Sequence, residues 1–316
     1  MSQLRQRIKP FMLPIAMAGG LVFHEYMDKV QFLAPYLIFI MLFITFCRIK
    51  PKEIRITSLS WHLLAVQVLG AIGLYLALLP VDKTVAQGLF ICVFCPTATA
   101  APVITGMLGG SVPRLATFSI VSNMTVAALA PILFSLMGNT DVAFFGALRY
   151  IVANVVPLIV LPLAAAWVLM GVAPKVHKAV AEKQSISFYI WALSLFIVVG
   201  RAVSFVMAEP PSMIPEMVII ALGSGVVCVA QFWIGRRVGA GNGDKIAGAQ
   251  GLGQKNTVLA IWMALTYLNP VASVGPAAYI AWQNTINSLQ LYYKSKREFA
   301  QKQKKRQPVL IIYVPS

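Results

Sequence analysis

Charge is scarce in this chain, and acid is the scarcest part of it. The 316 residues hold 26 Lys and Arg but only 10 Asp and Glu, so 11% are charged, where a soluble domain carries about 25%. That is too little to coat a globular surface, which excludes a water-soluble enzyme. With 59% of residues hydrophobic, a disordered chain is excluded as well. Histidine is limited to His24, His62 and His177, which fall at the ends of apolar runs and lack metal-ligand spacing. Cys47, Cys92, Cys95 and Cys228 lie inside such runs. Cys92 and Cys95 have C-x-x-C spacing, but the two further ligands of a zinc site are missing, so all four read as small core residues. There is no His-Glu-x-x-His, no phosphate-binding glycine loop and no serine elbow. Gly241-Asn242-Gly243-Asp244 matches the Gly-x-Gly-Asp of intramembrane aspartyl proteases. Such chemistry needs a second intramembrane carboxylate to share a proton, and no acidic residue occupies a central apolar stretch. The motif therefore predicts a turn, and the protein is not expected to be an enzyme.

What the chain does have is apolar length, with a mean hydropathy of +0.77. Crossing about 30 Å of hydrocarbon takes about 20 apolar residues. Runs of this kind lie near 10–23, 31–48, 58–80, 86–109, 113–138, 143–172, 188–208, 212–235, 245–268 and 270–292. They make ten segments joined by brief connections, the first one short. The stretch from Met1 to Gly20 has the basic-then-apolar layout of a signal peptide. Its removal would leave nine segments and put the termini on opposite sides, so it is read as the first segment.

The charges sort by side. With both termini inside, the inner stretches carry 21 of the 26 basic residues. These are Arg5, Arg7 and Lys9; Arg48, Lys50, Lys52 and Arg55; Arg114; Lys175, Lys178 and Lys183; Arg236, Arg237 and Lys245; and seven more from Lys294 to Arg306. The outer loops hold Lys29 and Lys83 against Glu25, Asp28, Asp82, Asp141, Glu209 and Glu216. This is the positive-inside asymmetry, and it predicts a multi-pass protein of the inner (cell) membrane with both termini cytoplasmic. The net charge of +16 then reports topology and contact with anionic lipid, not nucleic acid. The polybasic stretch from Lys294 to Arg306 predicts a helical cytoplasmic extension.

Ten crossings divide as five plus five, and an odd half duplicates upside down. The predicted fold is all-α: ten transmembrane helices as two inverted five-helix repeats, 1–140 and 141–293, followed by a basic tail, 294–316. Inverted repeats place a binding site at the midplane between discontinuous helices. Corresponding segments are indeed interrupted. Segment four contains Cys95-Pro96-Thr97-Ala98-Thr99-Ala100-Ala101-Pro102, and segment nine contains Gly248, Gly251 and Gly253, then Gln254-Lys255-Asn256-Thr257. Non-helical backbone at this depth is tolerated only when it faces protein or a water-filled cavity.

These residues resemble the bile acid:sodium symporter family in its bacterial branch. Three motifs carry the resemblance: Cys95-Pro96-x-x-Thr99-Ala100, Gly253-x-x-Asn256-Thr257-x-Leu259-Ala260, and Trp282-Gln283-Asn284 with Ser288. The Ala34-Pro35-Tyr36 start of segment two extends it over most of the chain. The resemblance implies a panel of segments one, two, six and seven beside a core in which helices four and nine cross at their unwound middles. It implies a secondary transporter of a small organic anion (a bile acid, carboxylate or sulfonate) working by alternating access. Candidate substrate-binding residues are Thr97, Thr99, Asn256, Gln283 and Asn284, and candidate ion-site or coupling residues are Lys255, Gln67, Gln254 and Gln250.

The family's two sodium sites match unevenly. The Ser-Asn pair after the segment-four break is Ala101-Pro102 here, and the shared glutamate of segment nine falls at Gly251, beside Gln250. One register places Ser119 and Asn123 at the segment-five ligands, and another places Val126 and Ala130 there. The glutamine of the second site becomes Lys255, with Gln67 matching the remaining side-chain ligand. An ammonium at the bilayer centre costs about 2.5–3.5 kcal/mol on insertion scales, so it is rare without a purpose. The expectation is a sodium-independent member needing no cofactor, in which Lys255 replaces the ion as a tethered cation or as a proton-coupled switch. A sodium-dependent symporter and a non-transporting sensor or scaffold are the alternatives.

Overall fold

The computed structural model of the protein describes residues 11–98, 100–137, 149, 153, 156–208 and 211–306. Every long element among them is a helix. In chain order these are α1 (Met12–Val22), α2 (Ala34–Phe46), α3 (Ser58–Leu78), α4 (Lys83–Phe94), α5 (Ala101–Leu108), α6 (Val112–Leu136) and α7 (Val156–Val172). Then follow α8 (Pro174–Ala181), α9 (Gln184–Met207), α10 (Ile214–Gly241), α11 (Lys245–Gly253), α12 (Thr257–Tyr267) and α13 (Val274–Arg306).

Three of these, α3, α6 and α10, are single helices long and apolar enough to cross a membrane, and α8 with α9, bent by 62°, makes a fourth candidate. The protein is thus an α-helical membrane protein. The other apolar runs take different forms. Segments four and nine are each split into two short helices, α4 with α5 and α11 with α12. Segment two is represented by the 13 residues of α2. The outer-loop residue Asp141 and most of the start of segment six lie outside the described residues. The last run continues, as the basic stretch predicts, in one unbroken helix, α13, to Arg306.

Local chemistry sets these limits. Proline stands in the first turn of α5, α6 and α10, where a missing N–H costs nothing. Asp82 caps α4 by accepting from the Val85 N–H at 2.7 Å, and Asp244 caps α11 through the N–H groups of Ile246 and Ala247, as N-caps do. The Gly-x-Gly-Asp motif is the turn that was predicted, with Gly243 at φ 79°. Its neighbours α10 and α11 lie backbone to backbone. A Cβ on Gly235 or Gly248 would collide with the other's carbonyl oxygen, the close approach that small residues allow between membrane helices.

Packing gathers the helices into two groups. α9 runs along α1 and α2, and α7 runs along α2. Met41, Leu42, Phe46, Phe188 and Trp191 form their shared core, and Val103 and Ile104 of α5 with Ile280 and Leu291 of α13 close onto it. The second group surrounds the broken helices, with α4 and α11 held against α3, α6, α10 and α13. Its centre is aromatic: Phe90, Phe94, Phe134 and Tyr267 stack or meet edge to face at 5.1–6.3 Å between centroids, the spacing ring quadrupoles favour.

Two clamps tie the ends of this second group. At one end the Ser111 N–H donates to Asp244 Oδ2 at 2.7 Å, and Arg114 donates to the Asn242 carbonyl at 3.0 Å. Ser58 donates to Asn242 there too. At the other end the Asn269 N–H donates to Gln87 Oε1 at 3.0 Å, and its side-chain amide donates to Thr84 at 3.3 Å.

Candidate functional site

The two breaks meet. The Ala98 N–H donates to the Gln254 carbonyl at 3.0 Å, and the Asn256 N–H donates to the Pro96 carbonyl at 2.8 Å. Together they form an antiparallel bridge centred on Thr97 and Lys255. Four helix ends converge on it. α4 and α11 present their C-termini, while α5 and α12 present their N-termini, so partial negative and partial positive charge lie side by side.

A helix C-terminus leaves carbonyls unpaired, and in a membrane something must satisfy them. At α4 the donors come from three directions. Lys255 Nζ donates to Val93 O at 2.7 Å and to Cys95 O at 3.1 Å. Gln67 Nε2, from α3, donates to Phe94 O at 2.8 Å and Cys95 O at 3.1 Å. Gln231 Nε2, from α10, reaches Cys92 O at 3.2 Å. At α11 the Thr97 hydroxyl donates to Gly251 O at 2.8 Å, and the Tyr279 hydroxyl donates to Gly253 O at 2.9 Å.

Lys255 is 1% exposed. Its ammonium is enclosed by protein, and no carboxylate pairs with it among the described residues. Its backbone is gripped as well. Gln283 accepts from the Lys255 N–H at 2.8 Å, and its own amide donates back to Lys255 O at 3.4 Å. Gln283 therefore works as an extra strand edge on the bridge, a positioning role the sequence did not suggest.

The remaining predicted residues are distributed unevenly. Asn256 caps α12 by accepting from the Leu259 N–H at 3.2 Å, and it is partly exposed where its neighbours are buried. Asn284 spends its Nδ2 on Ile280 O of its own helix at 2.7 Å. Gln254 carries the bridge through its backbone, and its Oε1 is buried with no partner among the described residues. Gln250 sits a turn earlier in α11 and pairs with Asn287 and Gln290. Thr99 lies outside the described residues. Gln67 faces the crossing with its amide nitrogen, and its Oε1 accepts from Ser122 at 2.8 Å, so here it serves as a donor to the α4 carbonyls.

The positions that resemble the first sodium site are mostly closed. Ala101 and Pro102 are buried at the start of α5 and bring no side-chain oxygen. A Cβ on Gly251 would meet Leu63 Cδ1 and Phe118 Cδ1 at 3.0 Å, so apolar groups fill the space a longer side chain would need. Ser119 and Asn123 do face inward, and Ser119 Oγ and Asn123 Oδ1 are buried with no partner among the described residues.

Ser122, Gln231, Tyr279, Asn287 and Gln290 were not singled out in the sequence. The signal was present for the amides and the serine, since a polar residue within a lipid-length run must find a partner. Direct comparison adds nothing to the geometry: no family model matches the chain, and no curated protein matches it.

Proposed function

We propose that this protein is a secondary transporter of a small organic anion, related to the bile acid:sodium symporters, in which Lys255 occupies the place of a coupling ion. It crosses the cell (inner) membrane ten times as two inverted five-helix repeats, with both termini cytoplasmic and the Arg114 end inside. The panel, segments one, two, six and seven, rocks against the core to give alternating access.

The observation that carries this reading is the buried ammonium of Lys255 on carbonyls at the meeting point of two broken helices. A binding-site cation in other transporters of this design is held by unwound backbone carbonyls, and the Lys255 ammonium donates to carbonyls of this kind. The two breaks also obey one internal symmetry. Thr97 and Lys255 face each other across the bridge; Thr97 caps Gly251, and Lys255 caps Val93. Ser111 and Asn269 follow the two broken helices, and each clamps the first half-helix of the other repeat or its cap. Positions 97 and 255, 93 and 251, and 111 and 269 are equally far apart in sequence, as a duplication requires. The anion binds at the partly exposed Asn256, beside the N-termini of α5 and α12, whose positive ends suit a carboxylate or sulfonate; Thr99 is a further candidate ligand on sequence grounds.

The test begins with a thermal-shift screen of carboxylates and sulfonates, run in sodium and in choline. Proteoliposome uptake of the stabilising anion follows. Uptake should saturate and be indifferent to sodium, and uptake rising steeply with sodium would falsify the tethered-cation reading. Stabilisation without uptake would point to a sensor instead. Lys255→Gln should change the pH profile of uptake if Lys255 is a proton switch, and leave its shape alone if the charge is permanent.

A second reading keeps sodium coupling. It rests on the unpartnered, buried Ser119 Oγ and Asn123 Oδ1, two oxygens on the face of α6 from which Ser122 contacts Gln67. Loss of sodium-dependent uptake in Ser119→Ala with Asn123→Leu would establish it.

A further inference from the structure

One face of α13 is polar over its whole approach to the Lys294 end. Gln283, Asn287, Gln290 and Lys294 recur at spacings of four, three and four residues, which stacks them on a single helix face. Each touches a broken helix. Gln283 holds Lys255 at the bridge, Asn287 and Gln290 accept from Gln250 Nε2 at 3.2 and 3.1 Å, and Lys294 Nζ donates to Met107 O, near the end of α5, at 2.6 Å. The first is 6% exposed and Asn287 is fully buried, whereas the Lys294 side chain is 33% exposed. The stripe thus links the crossing to the protein surface.

In the middle of the stripe the hydrogen bonding does not close. Gln250 and Asn287 are both 0% exposed, yet Gln250 Oε1 and Asn287 Nδ2 have no partner among the described residues. Exchanging oxygen and nitrogen in all three amides changes nothing essential. The Gln250–Asn287 and Gln250–Gln290 bonds re-form in reverse, and one donor and one acceptor are again left over. Whatever sits here must donate to one amide and accept from the other. A carboxylate accepts only and is repelled by Gln250 Oε1, and a lipid chain does neither. Water does both, and buried water typically makes about three such bonds.

We propose that Gln250, Asn287 and Gln290 form a water-binding site, and that the α13 stripe is a hydrated passage between the crossing and the Lys294 end. On the transporter reading, on which this role rests, the passage is the inner leg of the substrate's route, with its polar contacts made in one state and hydrated in the other. The site itself needs only the side chains named.

X-ray hydroxyl-radical footprinting of the purified protein in detergent tests it, because radicals form at bound water and oxidise the side chains next to it. Read residue by residue and scaled to each side chain's intrinsic reactivity, oxidation at the buried Gln250, Asn287 and Leu291 should run well above that of the buried Phe90 and Phe134. Rates no higher than those of the two phenylalanines overturn the proposal. The double variant Gln250→Leu with Asn287→Leu removes both unpaired atoms and should bring the scaled rate at the site down to that of the phenylalanines while the melting temperature is kept. Persistent oxidation in that variant also overturns the assignment. Absence of uptake in proteoliposomes would remove the transporter reading and leave the hydration result standing.

Discussion

The two half-helices that end at the crossing are built alike and finished differently. α4 ends under an ammonium and two amides, and α11 ends under two hydroxyls. The backbone partners correspond, since the side chain at 255 caps carbonyl 93 and the side chain at 97 caps carbonyl 251. Only the groups differ. A hydroxyl on a carbonyl contributes about 1 kcal/mol net, while a charged donor contributes about 1.5–3 kcal/mol per bond. Two such bonds offset the 2.5–3.5 kcal/mol, or about that, of placing an ammonium at membrane depth. The ammonium therefore adds less to the α4 end than its two bonds alone imply; what sets that end apart from its counterpart is charge. Two helix ends with corresponding backbone partners can thus differ by confining the cation to one of them.

Reversing the charge breaks the comparison most severely. Lys255→Glu aims a carboxylate at two carbonyl oxygens, and no monodisperse protein should be recovered in detergent. Recovery at wild-type yield would mean the side chain can leave its place. Lys255→Met is milder: Val93 O loses its donor while Cys95 O keeps Gln67, a cost of about 1–3 kcal/mol. The melting temperature should fall by several degrees and specific uptake should be lost. Gln67→Leu leaves Phe94 O unpaired, along with the Ser122 hydroxyl that now donates to Gln67 Oε1, at about 1–2 kcal/mol. Thr97→Val, the matching change at the α11 end, should cost about 1 kcal/mol and leave any sodium response of uptake as it was. If its melting-temperature loss equals that of Lys255→Met, the two ends are energetically equivalent. The smallest effect is expected for Gly251→Ala, whose new methyl presses on Leu63 and Phe118 at about 1 kcal/mol or less.

The broken helices were legible because their causes are local. Pro96 and Pro102 stand around one break and Gly251 and Gly253 before the other, and each limits what its own backbone can do. Lys255 announced itself as a charge inside an apolar run. The direction in which Gln67 points was not legible, because an amide offers a donor and an acceptor and its neighbours choose between them. Nor was the capping role of Asn256 visible apart from its position before Thr257, or the grip of Gln283 on the bridge. The helical reach of α13 to Arg306 was legible too, because Lys, Arg, Gln and Glu are good helix formers and the basic stretch follows the last apolar run without a Pro or Gly.

Composition and pattern along the chain were enough to determine a helical membrane protein, its apolar runs and the two places where helices fail. Each of these depends on a residue and its near neighbours. Tertiary structure alone decided that the two failures touch, and that the ammonium rests on Val93 and Cys95, 162 and 160 positions away. Unpaired carbonyls in an apolar medium take whatever donor lies within about 3 Å, and proximity over that sequence distance is a property of the folded chain.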